Sequence, residues 1–345
     1  MGRKKQARPA GCMYLILAGM LSVILLVYVR GFLGFPMLLA IPLAIGVSVY
    51  FSNELLGRPD KRVFRQGLII LTVFIGLISL GIRVINSELR TNRYQSDNFE
   101  GLEGVNRSTL EENGGTVPVF ASNRVWRDNY GSSYQARLMV REYDYQMLKD
   151  YLNSYTPGQK TNFWGRLYHY MEQQDGPKLD LLMQAFREIG QSRNLSAMDF
   201  AEMVVSCIQD IPYSLVFQDE CLPAYMYERS IREILEDCPE CCLGEQPFGI
   251  QNPVSFMSNL KGDCDTRTVM IYSILKGFDY DVAILNSDFY RHSIIGLNIP
   301  ASGKQITFNG KRYYVWETTA RYFKIGQLPY SVDDMNYWNV VLTSK

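Results

Sequence analysis

The apolar residues of this chain fall into two regimes. The first is a set of long runs near the N-terminus: Met13 to Val29, then Phe32 to Phe51 beyond Arg30-Gly31, then Leu68 to Ile82, continuing to Val84-Ile85 past Arg83. A bilayer crossing takes about 20 apolar residues, so the runs predict three transmembrane helices over about 12–29, 32–51 and 67–86, the first two a tight hairpin. A cleavable leader would end in a small-residue cleavage site, whereas here a second apolar run follows at once. Residues 1–87 thus read as a membrane region.

Residues 88–117 are rich in Asn, Glu, Gly and Ser and read as a tether. From residue 118 to 345 the second regime takes over, with short periodic patterns that predict one globular domain. Val125–Asp128 and Tyr134–Val140 flank Asn129-Tyr130-Gly131 as a hairpin. Leu179, Leu182, Met183, Phe186 and Ile189 form one helical stripe, and Phe200, Met203, Val204, Cys207, Ile208 and Ile211 a second, with Ser196 and Asp199 as its start and Pro212 as its stop. A third helix opens at Cys264, buries Val269, Met270, Ile271, Ile274 and Leu275, and ends near Gly277. Asp281–Leu285, His292–Ile299 and Tyr313–Trp316 read as strands, with Asn309-Gly310 as a hairpin turn.

Charge orients the predicted spans. Arg3, Lys4, Lys5 and Arg8 precede the first, and Arg58, Lys61, Arg62 and Arg65 lie between the second and third. Positive residues stay inside, which puts the N-terminus in the cytoplasm and the C-terminal domain outside it. A formal net charge of +0 argues against a nucleic-acid partner. The expected partners are a protein or peptide substrate, the lipid bilayer, and a membrane protein met through the helices.

The candidate chemistry sits in the last third of the chain. Gly262-Asp263-Cys264 opens the third helix, where the macrodipole and a nearby imidazolium would stabilise a thiolate. One of two histidines, His292, starts a strand. Glu317 ends another, and if the two strands are antiparallel it can orient the imidazole as the third member of a triad. The bland alternative for each is ordinary: a buried small thiol, a strand-end histidine, a surface carboxylate. His169, between two tyrosines, has no comparable setting and reads as packed or surface. Gln209 could offer a donor to an oxyanion, but a polar residue on a helix's solvent face is the simpler account.

Gly262-Asp263-Cys264, His292-Ser293 and Glu317-Thr318-Thr319 together resemble the transglutaminase-like branch of the papain-like thiol enzymes, over roughly residues 200–325. Gln209-Asp210-Ile211-Pro212-Tyr213 resembles the segment before the nucleophile helix in the same family. The third member there is usually Asp, and Glu317 is one methylene longer. The resemblance implies an α+β, papain-like domain with the nucleophile helix packed on an antiparallel sheet, no cofactor, and a cysteine peptidase or amidohydrolase acting through Cys264, His292 and Glu317. A transglutaminase-like binding or assembly module is the rival reading.

Besides Cys264 and Cys12, through which the first apolar run can be extended, the chain carries five cysteines. Cys207 lies on an apolar stripe and reads as core, whereas Cys221, Cys238, Cys241 and Cys242 crowd one loop-rich stretch. Outside the cytoplasm the four would form two disulfides, with three pairings open; a four-thiolate zinc site is the alternative. The sequence as a whole predicts a multi-pass protein of a bacterial cytoplasmic membrane that displays a thiol enzyme on the extracytoplasmic side.

Overall fold

The computed structural model describes residues 11–33, 37–57, 104–112, 114–158 and 161–345. Two compact units divide the chain, Met1–Gln95 and Ser96–Lys345. The first unit holds helices α1 (Gly11–Leu33) and α2 (Met37–Leu56), which pack on one another. Tyr14 Oη donates to Asn53 Oδ1 at 2.9 Å between them, and Ser48 and Ser52 are buried.

Among the described residues, no helix is long and apolar enough to cross a membrane. This corrects the expectation of three transmembrane helices. The physical reason lies in where the runs break: Phe32 and Leu33 belong to α1, α2 begins only at Met37, and Ser52, Asn53 and Glu54 interrupt its last turns before Leu55 and Leu56, short of the about 20 apolar residues a span requires. The α1 run is closed by Arg30. The third expected span, 67–86, lies outside the described residues. The multi-pass, cytoplasmic-membrane location rested on those spans and is overturned with them.

The second unit is α+β with antiparallel sheets. Strands β1 (Asn106–Glu112), β2 (Gly115–Arg127) and β3 (Ser133–Arg141) form a meander in the order β1-β2-β3. β2 and β3 pair from Val119↔Arg141 to Arg127↔Ser133 around the Asn129-Tyr130-Gly131 turn. β1 falls inside the stretch read as a tether and pairs along its whole length with β2.

Helices α3 (Glu142–Leu148), α4 (Phe163–Asp175), α5 (Asp180–Ser192) and α6 (Ala197–Gln209) follow. The Ser196 hydroxyl caps α6 by accepting the Asp199 N–H, and ten of its residues, Phe200 to Gln209, are buried. Such a helix is surrounded by core on nearly every side.

Between α6 and α8 (Pro253–Asn259) runs a strap made of β4 (Leu215–Val216), α7 (Arg229–Asp237) and β5 (Cys242–Leu243), with β4 and β5 paired in parallel. Two disulfides staple it, Cys221–Cys242 and Cys238–Cys241. The pairing left open by the sequence is thereby resolved, and the sulfurs that a zinc site would need are joined to one another.

Helix α9 (Cys264–Gly277) then packs on a five-stranded sheet of order β10-β6-β7-β9-β8, formed by β6 (Val282–Ser287), β7 (His292–Leu297), β8 (Gln305–Phe308), β9 (Lys311–Trp316) and β10 (Asn339–Thr343). All six residues of β6 are buried. Its run reads as continuously apolar because both faces of the sheet are covered: Val282, Ile284, Ile295 and Trp316 join the main core with α9, and Ala283, Leu285, Ile294 and Val315 join a second cluster with Leu328 and Trp338.

One buried cation ties these layers together. Arg267, on α9, is 0% exposed; its Nε donates to Gly262 O at 3.0 Å, Nη1 to Ile208 O at 3.1 Å, and Nη2 to Ile211 O at 2.7 Å and to Pro212 O. Burial pushes its pKa down to about 10, opposed by Tyr213 and Asp263, so it stays charged at neutral pH. The carbonyls at the end of α6 run short of backbone donors: the guanidinium supplies Ile211 O and Pro212 O and adds a donor to Ile208 O, which also accepts the Ile211 N–H at 3.2 Å. Replacing Arg267 by Ala strands Ile211 O and Pro212 O, leaves Gly262 O and Ile208 O with the Ser214 and Ile211 N–H groups alone, and is expected to cost about 3–5 kcal/mol in urea unfolding. A loss under about 1 kcal/mol would show that water takes over these acceptors.

Candidate functional site

The turn before α9 is shaped by close packing. α8 ends with Leu260 in the left-handed conformation (φ 56°). At Gly262 a Cβ would lie 2.9 Å from the Phe256 ring and 2.8 Å from Thr266 Cγ2, so only glycine lets the chain pass. Asp263 is the N-cap, its Oδ1 accepting the Thr266 N–H at 3.0 Å. Cys264 is the first helical residue and is 7% exposed.

The sulfur lies within reach of the Ser293 N–H and hydroxyl, and its own neighbours Asp263 and Asp265 crowd it: one ligating atom from each of the three lies within 4.8 Å of the others. Burial, then the Asp265 and Asp263 carboxylates, push the thiol well above its ordinary pKa, and the Ser293 donors offset only part of this. The sequence predicted a lowered thiol pKa from the helix start; two adjacent carboxylates in a buried place outweigh half a unit of dipole charge. Asp265 in turn accepts the Tyr168 hydroxyl at 2.6 Å, and Tyr168 Oη accepts Asn286 Nδ2 at 2.8 Å. These three groups are the described set of metal-ligand type, but Asp263 is engaged as a cap and Asp265 by Tyr168.

His292 and Glu317 are brought into direct contact. β7 and β9 are antiparallel with Ile295 opposite Trp316, so the start of one strand meets the end of the other. The imidazole Nε2 lies 3.0 Å from Glu317 Oε2 and 3.2 Å from Oε1. Burial alone would lower the histidine, but the charge and hydrogen bond of Glu317, aided by Asp265 and Asp263, outweigh it and raise its pKa. Burial alone would raise Glu317, and here the imidazole together with the Thr319 donors wins and holds the carboxyl at about 2.

The extra methylene of Glu317 is absorbed by the turn that follows. Oε1 accepts the Thr318 N–H at 2.9 Å, the Thr319 N–H at 2.8 Å and the Thr319 hydroxyl at 2.6 Å, which folds the side chain back on its own backbone. The Glu317 carbonyl is fixed as well, by Gln209 Nε2 at 2.7 Å. Gln209 is therefore not a solvated helix residue: it is 3% exposed and also donates to Phe323 O at 3.2 Å.

Cys264 reaches the same end of the sheet, yet Ser293 is the β7 residue on its sulfur. Successive strand residues point to opposite faces, and His292 shares its side with Trp338, whose ring lies 5.9 Å away at 65°. Glu317 holds Nε2, so Nδ1 is the ring nitrogen outside that pair; the groups acting on the sulfur are Ser293, Asp263 and Asp265, and those on the imidazole include Glu317 and Trp338. His169 is exposed and takes no part; Cys207 is free and buried, as core.

Sequence reasoning missed Tyr168 and Ser293 as neighbours of the thiol, and Asn286 behind Tyr168. Only Ser293 carried a signal, its place beside His292. Known protein families, curated proteins and solved structures offer no match to this chain.

The ion pair gives a signed pH dependence. Glu317 titrates near 2 when folded against an ordinary 4.5, so its stabilisation is present above 4.5 and is lost as pH falls toward 2. In Glu317→Gln the imidazole of His292 loses the partner that raises it, and its NMR titration midpoint is expected to move down. A midpoint unmoved by that change would place the source of the shift elsewhere.

Proposed function

We propose that the domain of residues 118–345 is a transglutaminase-like thiol enzyme that hydrolyses peptide or amide bonds through Cys264, His292 and Glu317. The observation that supports this most is the buried His292–Glu317 pair, with both carboxylate oxygens within 3.2 Å of Nε2, at the sheet end where Cys264 starts its helix. Glu317 fixes the tautomer that carries hydrogen on Nε2 and so leaves Nδ1 as the base.

The steps follow from that assignment. Because the resting group is a thiol, its proton passes to Nδ1 as sulfur bonds to the carbonyl carbon. The departing amine takes that proton, and water, deprotonated by the same nitrogen, cleaves the thioester. N–H groups at the α9 start face the oxygen on which negative charge develops. Water is the default acceptor, which favours hydrolysis over cross-linking.

A second reading has its own support. A sulfur that is 7% exposed, raised by two carboxylates and in contact with Ser293 suits a binding or assembly module that retains the fold without turnover. The two separate on one preparation. Wild type is expected to cleave members of a tagged amide library and to trap a thiol-reactive amide probe, with Cys264→Ala losing both. No cleavage by wild type, together with partner binding that survives Cys264→Ala, would replace catalysis by binding.

The thiol's environment predicts its reactivity. Iodoacetamide labelling of Cys264 is expected to climb about tenfold per pH unit through the neutral range without levelling off below pH 9, its ordinary value. Asp265→Asn removes the larger of the two repelling charges and should move that climb to lower pH. Labelling already saturated at pH 7 in wild type would mean that a thiolate–imidazolium pair exists at rest.

A further inference from the structure

The C-terminal end of α6, the end of β2 and the loop after Glu317 enclose a cleft of about 180 Å³. Its walls are Arg127, Asn129, Gln209, Asp210, Arg321 and Tyr322. Sites for drug-sized molecules run to about 300–1,000 Å³, so this one suits a small ion or acid.

Its charge is unbalanced. Asp210 Oδ2 lies 2.6 Å from Arg124 Nη2 and its Oδ1 lies 2.7 Å from Arg321 Nη2, so two guanidiniums already share one carboxylate. Glu202, another acid at this seam, accepts the Asn129 N–H at 3.0 Å, and Asp128 accepts the Tyr130 and Ser132 N–H groups and the Tyr134 hydroxyl. Arg127 is left over: among the described residues it makes no ion pair, and it stands exposed at the cleft mouth. An arginine without a carboxylate, facing an arginine shared with one, offers a fork to a bidentate oxyanion.

We propose that this cleft binds a small oxyanion, a carboxylate or a phosphate, between Arg127 and Arg321. Such an occupant would join the end of β2 to the loop that follows Glu317. That loop is already tied at this place, by Asn129 Nδ2 to Phe323 O at 3.1 Å, Gln209 Nε2 to the same oxygen and Arg321 Nη2 to Asp210 O at 3.2 Å. The anion completes a set of ties whose far end is the Glu317 carbonyl. The inference stands on charge and space, and holds whether or not the domain turns over a substrate.

Thermal unfolding of the full chain in inorganic phosphate, in succinate and in sodium chloride of matched ionic strength tests it. Phosphate, succinate or both should raise the midpoint saturably, by roughly 5–10 °C at a hundredfold excess over Kd, with no such rise in chloride. A rise with one alone names the source of the oxyanion. Arg127→Gln, a change at an exposed residue outside the triad, should remove the rise, and Arg127→Lys should keep only part of it. A rise equal to that in chloride, the same rise in Arg127→Gln, or none at all would overturn the site.

Discussion

The geometry of the candidate site depends on one buried guanidinium. Arg267 enters the core from α9 and accepts no compromise in position, because its fork is planar and each of its nitrogens already serves a backbone oxygen. Three of those oxygens belong to the end of α6 and its exit, and the fourth to Gly262, two residues before the thiol. A lysine could neutralise a helix end but could not span both segments. The Gly262-Asp263-Cys264 turn is thus referenced to α6, and so is the opposite wall, since Gln209 on the last turn of α6 holds the Glu317 carbonyl. One helix end positions both the sulfur and the carboxylate.

That arrangement concentrates negative charge. Asp263 is needed as a cap, Asp265 as the acceptor of Tyr168, and Glu317 as the partner of His292. Their consequences differ with their partners. Glu317 has a cation and three further donors, and its carboxyl falls to about 2. Asp263 has the Thr266 donors but faces Asp265, and burial with that repulsion raises it. The thiol, with Ser293 as its counterweight, follows Asp263 upward. The imidazole is the one group in the set whose charged form gains from every carboxylate around it, so histidine and thiol both lie above their ordinary values for different reasons.

Much of this was legible in the sequence where pattern and packing agree. The α5 and α6 stripes, the Ser196 cap, the Asn129-Tyr130-Gly131 and Asn309-Gly310 turns, and the start of α9 at Cys264 all follow from local rules that burial reinforces. β1 escaped because an edge strand exposes one of every two residues and needs little apolar content: its burial alternates along Asn106–Glu112, and its only large apolar side chain is Leu110. The membrane reading failed differently. It divided the apolar residues at Arg30-Gly31, whereas α1 continues through that pair to Leu33 and α2 starts at Met37, so a break in the apolar pattern was not a break in the helix.

The site was legible in its parts and illegible in its couplings. Cys264, His292 and Glu317 could be read from a helix start and two strand ends, because those are local features. Gln209 could not, since a glutamine at a helix end reads as solvated unless one knows that the strand carrying Glu317 passes 108 residues later within hydrogen-bond reach. The same holds for Asp265, whose effect on the thiol depends on burial that no sequence window reports. Local pattern identifies the groups able to do chemistry; the pKa of each is set by contacts between segments far apart in the chain. Here burial, reinforced by Asp265 and Asp263, opposes the helix dipole and raises the pKa of Cys264 in spite of the helix that Cys264 begins.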